Sequence, residues 1–472
     1  MRPLLVTLVA LLALPVRAAD PQVSFLRDVA PVLQESCFAC HDARKRSGKY
    51  DMTTFEKLMA GGANGEAVVP GKVAESDFHA LIVTTDDRRM PPRDKGAAVP
   101  PERAKLVAAW IAQGAKPDAG LDPKADLVAE LRRRWVPPVP PEHYRFPAVV
   151  NALAFTPDGT RLVVSGHHEL TVWAVPAGKL VERVRTRAER AYAMTFLPGG
   201  LLAVAGGRPG VEGDVRLYDI AAAGPTVDGV KRLDGVSDAR VLVAKLLEAD
   251  DSVLCLAATP DGKLLAAGGC DRAARVWDLS AGPAKAKLTQ TVENHADWVL
   301  GVALSADGKF LATASRDKTA KTWDLAAKES AVTFPDHAQP VNAVAFGPGG
   351  ATVFSAGGDA KLRAWKPAGD AKGGKPGASL GGHGGEIFRI AADPVKPLLA
   401  TASADKSVRL WDAAKPSAVA TLTGLDDYVY AVAFSPDGKW VAAGGYGGTV
   451  AVWPVAGGKP TVTFNASPGY KP

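Results

Sequence analysis

From Val149 to the C-terminus, short apolar runs alternate with tight turns, and the runs recur at a nearly fixed period. Each unit opens with a strand-like run that ends in a turn such as TPDG, SADG or SPDG. A second run of small residues follows, as in LATAS or VAAGG, and a third run closes on an aromatic. Short runs bounded by Gly, Pro and Asp predict strands joined by turns. The closing aromatics are Trp173, Tyr218, Trp277, Trp323, Trp365, Trp411 and Trp453, spaced 45, 59, 46, 42, 46 and 42 residues apart. A period of this length is the mark of a repeat architecture, and it gives seven units.

Before Val149 the pattern differs. Residues from about Pro21 to Gly120 read as helices and loops. Asp28 is placed to cap a helix that tolerates Pro31 in its first turn and runs into Cys37, because the first amides of a helix have no internal acceptor. A second helix follows Pro100 and Pro101, sets Leu106, Trp110 and Ile111 on one face and stops at Gly114. Residues 121–145 carry Arg132 to Arg134 and then Pro137, Pro138, Pro140 and Pro141, which predicts a stiff, extended linker with a solvated basic face. The division expected is 19–120 for the helical domain, 121–145 for the linker and 146–472 for the repeats.

At the N-terminus Arg2 precedes an apolar run from Leu4 to Leu14, then Pro15 and the small-residue site Val16, Arg17, Ala18. This is the pattern of a secretory signal peptide cut after Ala18, residues 1–18, with an uncleaved anchor as the alternative. The run is shorter than the ~20 residues that span a bilayer, and no later stretch is long enough. A periplasmic or otherwise exported location is expected, with no membrane span in the mature chain. The net charge of +6 falls to +4 without Arg2 and Arg17, too small a bias to argue for nucleic acid. Gly 48 and Pro 36 in 472 residues suit many strands joined by turns. Only Cys37, Cys40, Cys255 and Cys270 are present, too few for a disulfide scaffold in an exported chain of this size. Cys255 and Cys270 fall out of register across their hairpin and are expected as two buried thiols, with a disulfide as the alternative.

The close pair carries the candidate chemistry. In Cys37, Phe38, Ala39, Cys40, His41, two thiols three positions apart face the same way and suit the two vinyl groups along one haem edge. His41 then comes under the iron as the proximal ligand, and a single pair means one covalent haem c. A dithiol redox motif would need a βαβ setting that the region lacks, and a zinc site would have only His41 and His79 to join the thiols. For the distal iron position the region offers Met52, Met59, His79 and Met90. Met90 stands in RRMPPR, where Pro91 and Pro92 stiffen the loop, and is preferred; Met52 and Met59 read as packing around Phe55 and Leu58. His79 and an open site remain as alternatives. Lys45, Arg46 and Lys49 follow the motif as a solvated loop, with a steering patch for an acidic redox partner as the alternative.

CFACH, the segment VVPGKVAESDF from Val68 to Phe78, the MPP at Met90 and WIAQGA from Trp110 to Ala115 together resemble the planctomycete-type cytochrome c domain. That resemblance implies haem ligation by His41 and Met90. RVWDL, KTWDL and RLWDA, ending at Leu279, Leu325 and Ala413, resemble the WD40 family, whose repeats fold as four-stranded blades around a central channel. The resemblance implies internal chains of His295, Thr313, Asp317 and Trp323; His337, Ser355, Asp359 and Trp365; and His383, Thr401, Asp405 and Trp411. These histidines are therefore read as fixing loops to blades, and not as metal ligands or catalytic bases. The second repeat departs, with Tyr218 for Trp, an insertion around Arg208 to Gly213, and a charged excursion from Ala221 to Asp250 read as a surface loop or docking loop. The last repeat has Tyr446, Gly447, Gly448 at its turn and lacks the Asp. Thr461 to Phe464, or the segment before Val149, is expected to close the ring.

The expected protein is multidomain: a small α-helical cytochrome c domain followed by an all-β seven-bladed WD40 propeller. One haem would carry electrons, and the propeller would dock a partner protein. A haem-dependent periplasmic oxidoreductase, and an interaction scaffold or haem-based sensor, are the alternatives.

Overall fold

The structure is a computed structural model that describes residues 22–335, 337–368 and 378–471. The expected leader lies outside the described residues. The chain divides into two compact units, with the sequence boundary between Trp135 and Val136.

The first unit is helical. Helical winding begins at Phe25, one residue after Ser24, whose hydroxyl accepts from the Arg27 N–H. Asp28 is not the cap: its carboxylate reaches back to accept from the Ser24 N–H at 2.9 Å. The turn ahead of Pro31 is wound wide, with the Ala30 N–H bonded to the Phe25 carbonyl, and the α-helix proper is Ala30–Ser36. Phe25 meets Phe55 edge-on at 4.9 Å between ring centroids and lies 5.3 Å from Trp110. Helix Pro101–Ala112 buries Ala104, Val107, Trp110 and Ile111, whereas Leu106 is exposed, so the inward stripe lies one step round from the one expected. The region expected as a linker is divided. Asp126 caps a helix Leu127–Arg134, and Leu127, Val128 and Leu131 pack on this unit's core. Their i, i+1, i+4 spacing forms an apolar stripe that the basic run next to it obscures in sequence.

The second unit is all β. Five antiparallel four-stranded sheets follow one another from Val253 to Asn465. A nine-stranded sheet precedes them, because the 18-residue strand Lys179–Phe196 runs unbroken from the edge of one meander into the next. The units expected as seven separate blades thus lie in six sheets, the first two merged through this shared strand. The excursion from Ala221 to Asp250 is not irregular: Val230–Asp234 pairs in parallel with Glu182 to Arg185, and Leu242–Ala249 pairs with Glu212–Tyr218.

The inner strands of the sheets pack side by side in a cycle. Leu153–Phe155 neighbours both the far end of Lys179–Phe196 and Val429–Phe434 of the last sheet. Val462–Asn465 supplies the outer strand of that last sheet, so the C-terminal segment takes the closing role left open by sequence. First and last sheets then join through one apolar cluster that includes Val150, Phe155 and Trp173 on one side and Ala442, Val450 and Val452 on the other.

Candidate functional site

Helix Ala30–Ser36 ends at Cys37, whose N–H still bonds to the Leu33 carbonyl at 2.9 Å. A fresh turn, Phe38–His41, starts there, with the Cys40 and His41 N–H groups both donating to the Cys37 carbonyl at 3.0 Å. This tight winding sets the two sulfurs and the imidazole of His41 around one cavity. The cavity, about 190 Å³ in volume, is lined by Cys37, Cys40, His41, Tyr50, Phe78 and Met90, among others. Phe78, Leu81 and Ile82 give it apolar walls.

The imidazole is oriented by backbone. Nδ1 of His41 lies 3.2 Å from the Tyr50 carbonyl, so a proton on Nδ1 donates there and leaves the Nε2 lone pair as a ligand. The Met52 N–H donates to the His41 carbonyl at 2.9 Å, tying the segment down twice. The Tyr50 hydroxyl donates to the Leu58 carbonyl at 2.7 Å, and burial raises its pKa. Burial, and Cys40 beside it, push the Cys37 thiol up to about 12, so it stays protonated at neutral pH. Gly61 is required where the cavity wall folds back: at φ +78 a Cβ there would sit 2.0 Å from the Gly65 carbonyl oxygen.

Met90 lines the same cavity, its N–H bonded to the Leu81 carbonyl at 2.9 Å and its side chain partly exposed. His79 does not. It lines a different cavity with Ile82, Val99 and Ala104, and burial lowers its pKa. Among the described residues no group of three His, Cys, Asp or Glu side chains is placed to hold a metal ion. Met52, read from sequence as packing, is buried in the core and also lines the cavity, whereas Met59 only packs against the core. Two contributors escaped sequence reasoning: Tyr50, which acts through its carbonyl, and Met52, whose tie is its own backbone N–H. Backbone groups leave no residue signature.

In the propeller, two of the three expected chains are complete. His295 bonds Asp317 at 2.8 Å and Thr313 at 2.7 Å, and Trp323 donates to Thr313 at 3.1 Å. His383 bonds Asp405 at 2.8 Å and Thr401 at 2.7 Å, with Trp411 donating to Thr401 at 2.8 Å. In the third, Arg363 intrudes: its Nη1 lies 3.0 Å from His337 Nδ1 and 2.6 Å from Asp359. An arginine donates only, so Nδ1 of His337 accepts and Nε2 donates to Ser355, the reverse of the other two. In the last repeat Trp453 donates to the Thr423 carbonyl instead. Cys255 and Cys270 are free thiols.

Residues 37–94 match the sequence family described as Planctomycete cytochrome C. Residues 241–278, 286–324, 328–366, 374–412 and 416–454 each match the WD domain, G-beta repeat. Among curated proteins, the small ribosomal subunit protein RACK1y of Oryza sativa subsp. japonica is 38% identical over 80 residues, 16% of this chain and 24% of that protein. The nuclear distribution protein PAC1 of Coccidioides posadasii is 25% identical over 192 residues, 41% of this chain and 34% of that protein. The chain thus spans about a third or less of the length of these relatives. It joins a cytochrome c domain of the planctomycete type to WD40 repeats. No helix among the described residues is long and apolar enough to cross a membrane.

Proposed function

We propose that this cytochrome c and WD40 fusion is an exported electron-transfer protein that carries one covalent haem c and docks a protein partner on its propeller. The observation that supports it most is the convergence of Cys37, Cys40, His41 and Met90 on one apolar-walled cavity. A haem bound there supplies a one-electron couple. Cys37 and Cys40 would hold it through thioethers, His41 Nε2 and the Met90 sulfur would ligate its iron, and Phe78, Leu81 and Ile82 would keep water from the ring. A thioether ligand and a dry wall both favour the reduced iron and raise the potential. The match to WD40 repeats makes protein binding the natural role of the second unit. Export follows from the leader pattern of residues 1–18 and from the compartment in which haem is attached.

The test is the full chain produced with its leader in a host that matures c-type cytochromes. Acid-acetone extraction should leave the haem on the polypeptide, with a mass gain of one haem, and Met90→Ala should abolish the weak sulfur-to-iron band and lower the potential. A colourless chain with free Cys37 and Cys40 would end the proposal. An unchanged spectrum in Met90→Ala would move the distal position to Met52 or an open site.

A further inference from the structure

The inner strands of the propeller share one irregularity. Six of them carry a bulge, at Tyr192, Leu254, Leu300, Asn342, Phe388 and Tyr430. A bulge residue is left out of the ladder, so its carbonyl needs another donor. The residue after each bulge is among those that line the central channel cavity. Five of these are small: Ala193, Cys255, Gly301, Ala343 and Ala431. The sixth is Arg389.

Arg389 reaches across the channel to three other inner strands. Its Nη1 donates to the Leu300 carbonyl at 3.1 Å, and its Nη2 donates to the Tyr192 and Leu254 carbonyls, each at 3.0 Å. A guanidinium has five N–H donors and no acceptor, so three bonds leave two donors without a protein acceptor. The charge is also unbalanced. The channel cavity, about 130 Å³, has no carboxylate among its lining residues. Burial lowers the arginine's pKa, and Cys255 is the one other group that acts on it. Arg389 is half-buried and stays protonated, and no carboxylate lines the cavity to balance its charge. Three carbonyls solvate it, but they do not neutralise it.

The approach to the channel has the same character. Asn151 lines the channel and also a second cavity of about 430 Å³, which is lined by His143, Arg145, His167 and Arg190 and again by no carboxylate. Arg190 lies 3.5 Å from Glu189, and Tyr144, also in that lining, donates to Glu169 at 2.7 Å. The channel has space for several waters, each of which needs ~10–15 Å³.

We propose that the propeller channel binds a small inorganic monoanion against the Arg389 guanidinium, at a donor that its three carbonyl bonds leave free. Arg389 holds it, the route past Asn151 admits it, and the Ala, Gly and Cys at the equivalent positions leave the space it fills. The site is separate from the haem cavity and uses none of its residues.

The test uses nitrate as probe on the full-length haem protein. Thermal unfolding of the propeller is followed by tryptophan fluorescence in sodium nitrate and in sodium gluconate of equal ionic strength, gluconate being too large for the channel. Ligand that binds only the native state raises its stability saturably. The wild type should show a saturable rise in midpoint with nitrate and none with gluconate. Arg389→Gln should lose that difference, and Arg389→Lys should weaken nitrate about tenfold, the loss of roughly one hydrogen bond to a charged group. Equal responses to the two salts, or an unchanged nitrate response in Arg389→Gln, would overturn the proposal. Should Arg389→Gln not fold, wild-type crystals soaked in sodium bromide decide: an anomalous peak in contact with the Arg389 guanidinium supports it, and a water there with bromide elsewhere overturns it.

Discussion

The nine-stranded sheet and the four-stranded sheets that follow it solve one packing problem with different polar chemistry. In the later sheets His295 and His383 each tie a loop to a Thr and a Trp, in chains whose one charge is the carboxylate at the outer end. The nine-stranded sheet has no such chain. It holds buried ion pairs instead: Arg183 with Glu169 at 2.6 Å, Arg187 with Glu212 at 2.8 Å, and Arg216 with Asp214 at 2.5 Å. Tyr144 adds a hydroxyl donated to Glu169 at 2.7 Å. The five WD repeat matches begin at residue 241, beyond the first two aromatic-ended units. A repeat can therefore lose its family signature and keep its sheet, because the ladder is made by backbone and only the alternation of apolar positions must survive.

The largest effect that separates the two regions should come from breaking an ion pair. Arg183 and Glu169 have side chains only 4% and 1% exposed, so removing one leaves the other buried and unpaired. Arg183→Met should cost about 3–5 kcal/mol in urea unfolding of the propeller, and adding Glu169→Leu should recover much of that loss. A cost below about 1 kcal/mol would mean that the pair is solvated and that the contrast between the regions is cosmetic.

A histidine chain should be more forgiving. Thr401 accepts from Trp411 and bonds His383, both within 2.8 Å. Thr401→Val keeps the shape and strands two buried groups, for an expected loss of about 1–3 kcal/mol. The comparison sharpens if Ser355→Ala costs less than Thr401→Val under the same conditions, because Arg363 already shares the His337 imidazole with Ser355. Equal losses would show that the intruding arginine carries nothing.

The same contrast explains what was legible in the sequence. CFACH is five adjacent residues whose spacing alone sets the chemistry, and the structure brings Cys37, Cys40 and His41 to one cavity with Met90. The repeats were visible wherever the turns and closing aromatics are regular. The extra strands between Ala221 and Asp250 were not, because Val230–Asp234 is charged, partly exposed and paired in parallel to a strand nearly fifty residues away. Helix Leu127–Arg134 was masked by the arginines on its outer face. Leu106 was put on the wrong side because several faces of Pro101–Ala112 carry apolar residues, and only tertiary packing chooses among them. Arg389 gave no signal by type. Its meaning appears only once five equivalent strands show what normally stands there.

The smallest predicted effect concerns acid. Burial works against ionisation of Asp405, but hydrogen bonds from Ser407, the Gly384 N–H and His383 together hold its pKa at about 2. The unfolded value is about 3.9, so the folded state binds fewer protons between the two. The stability this gives is present above pH ~4 and is lost as pH falls from there through about 2. With its side chain partly open to solvent, the contribution should be about 1 kcal/mol rather than the full value of the shift. Asp405→Asn should therefore flatten the acid limb of the stability curve below pH ~4 and cost about as much at neutral pH. Asp317 is held low by the same kind of contacts, from His295 and Thr319 against the burial cost, and Asp317→Asn should act alike and additively, since the two carboxylates serve different sheets. An acid limb that stays unchanged in the double variant would place the pH dependence outside these chains, in the ion pairs of the nine-stranded sheet.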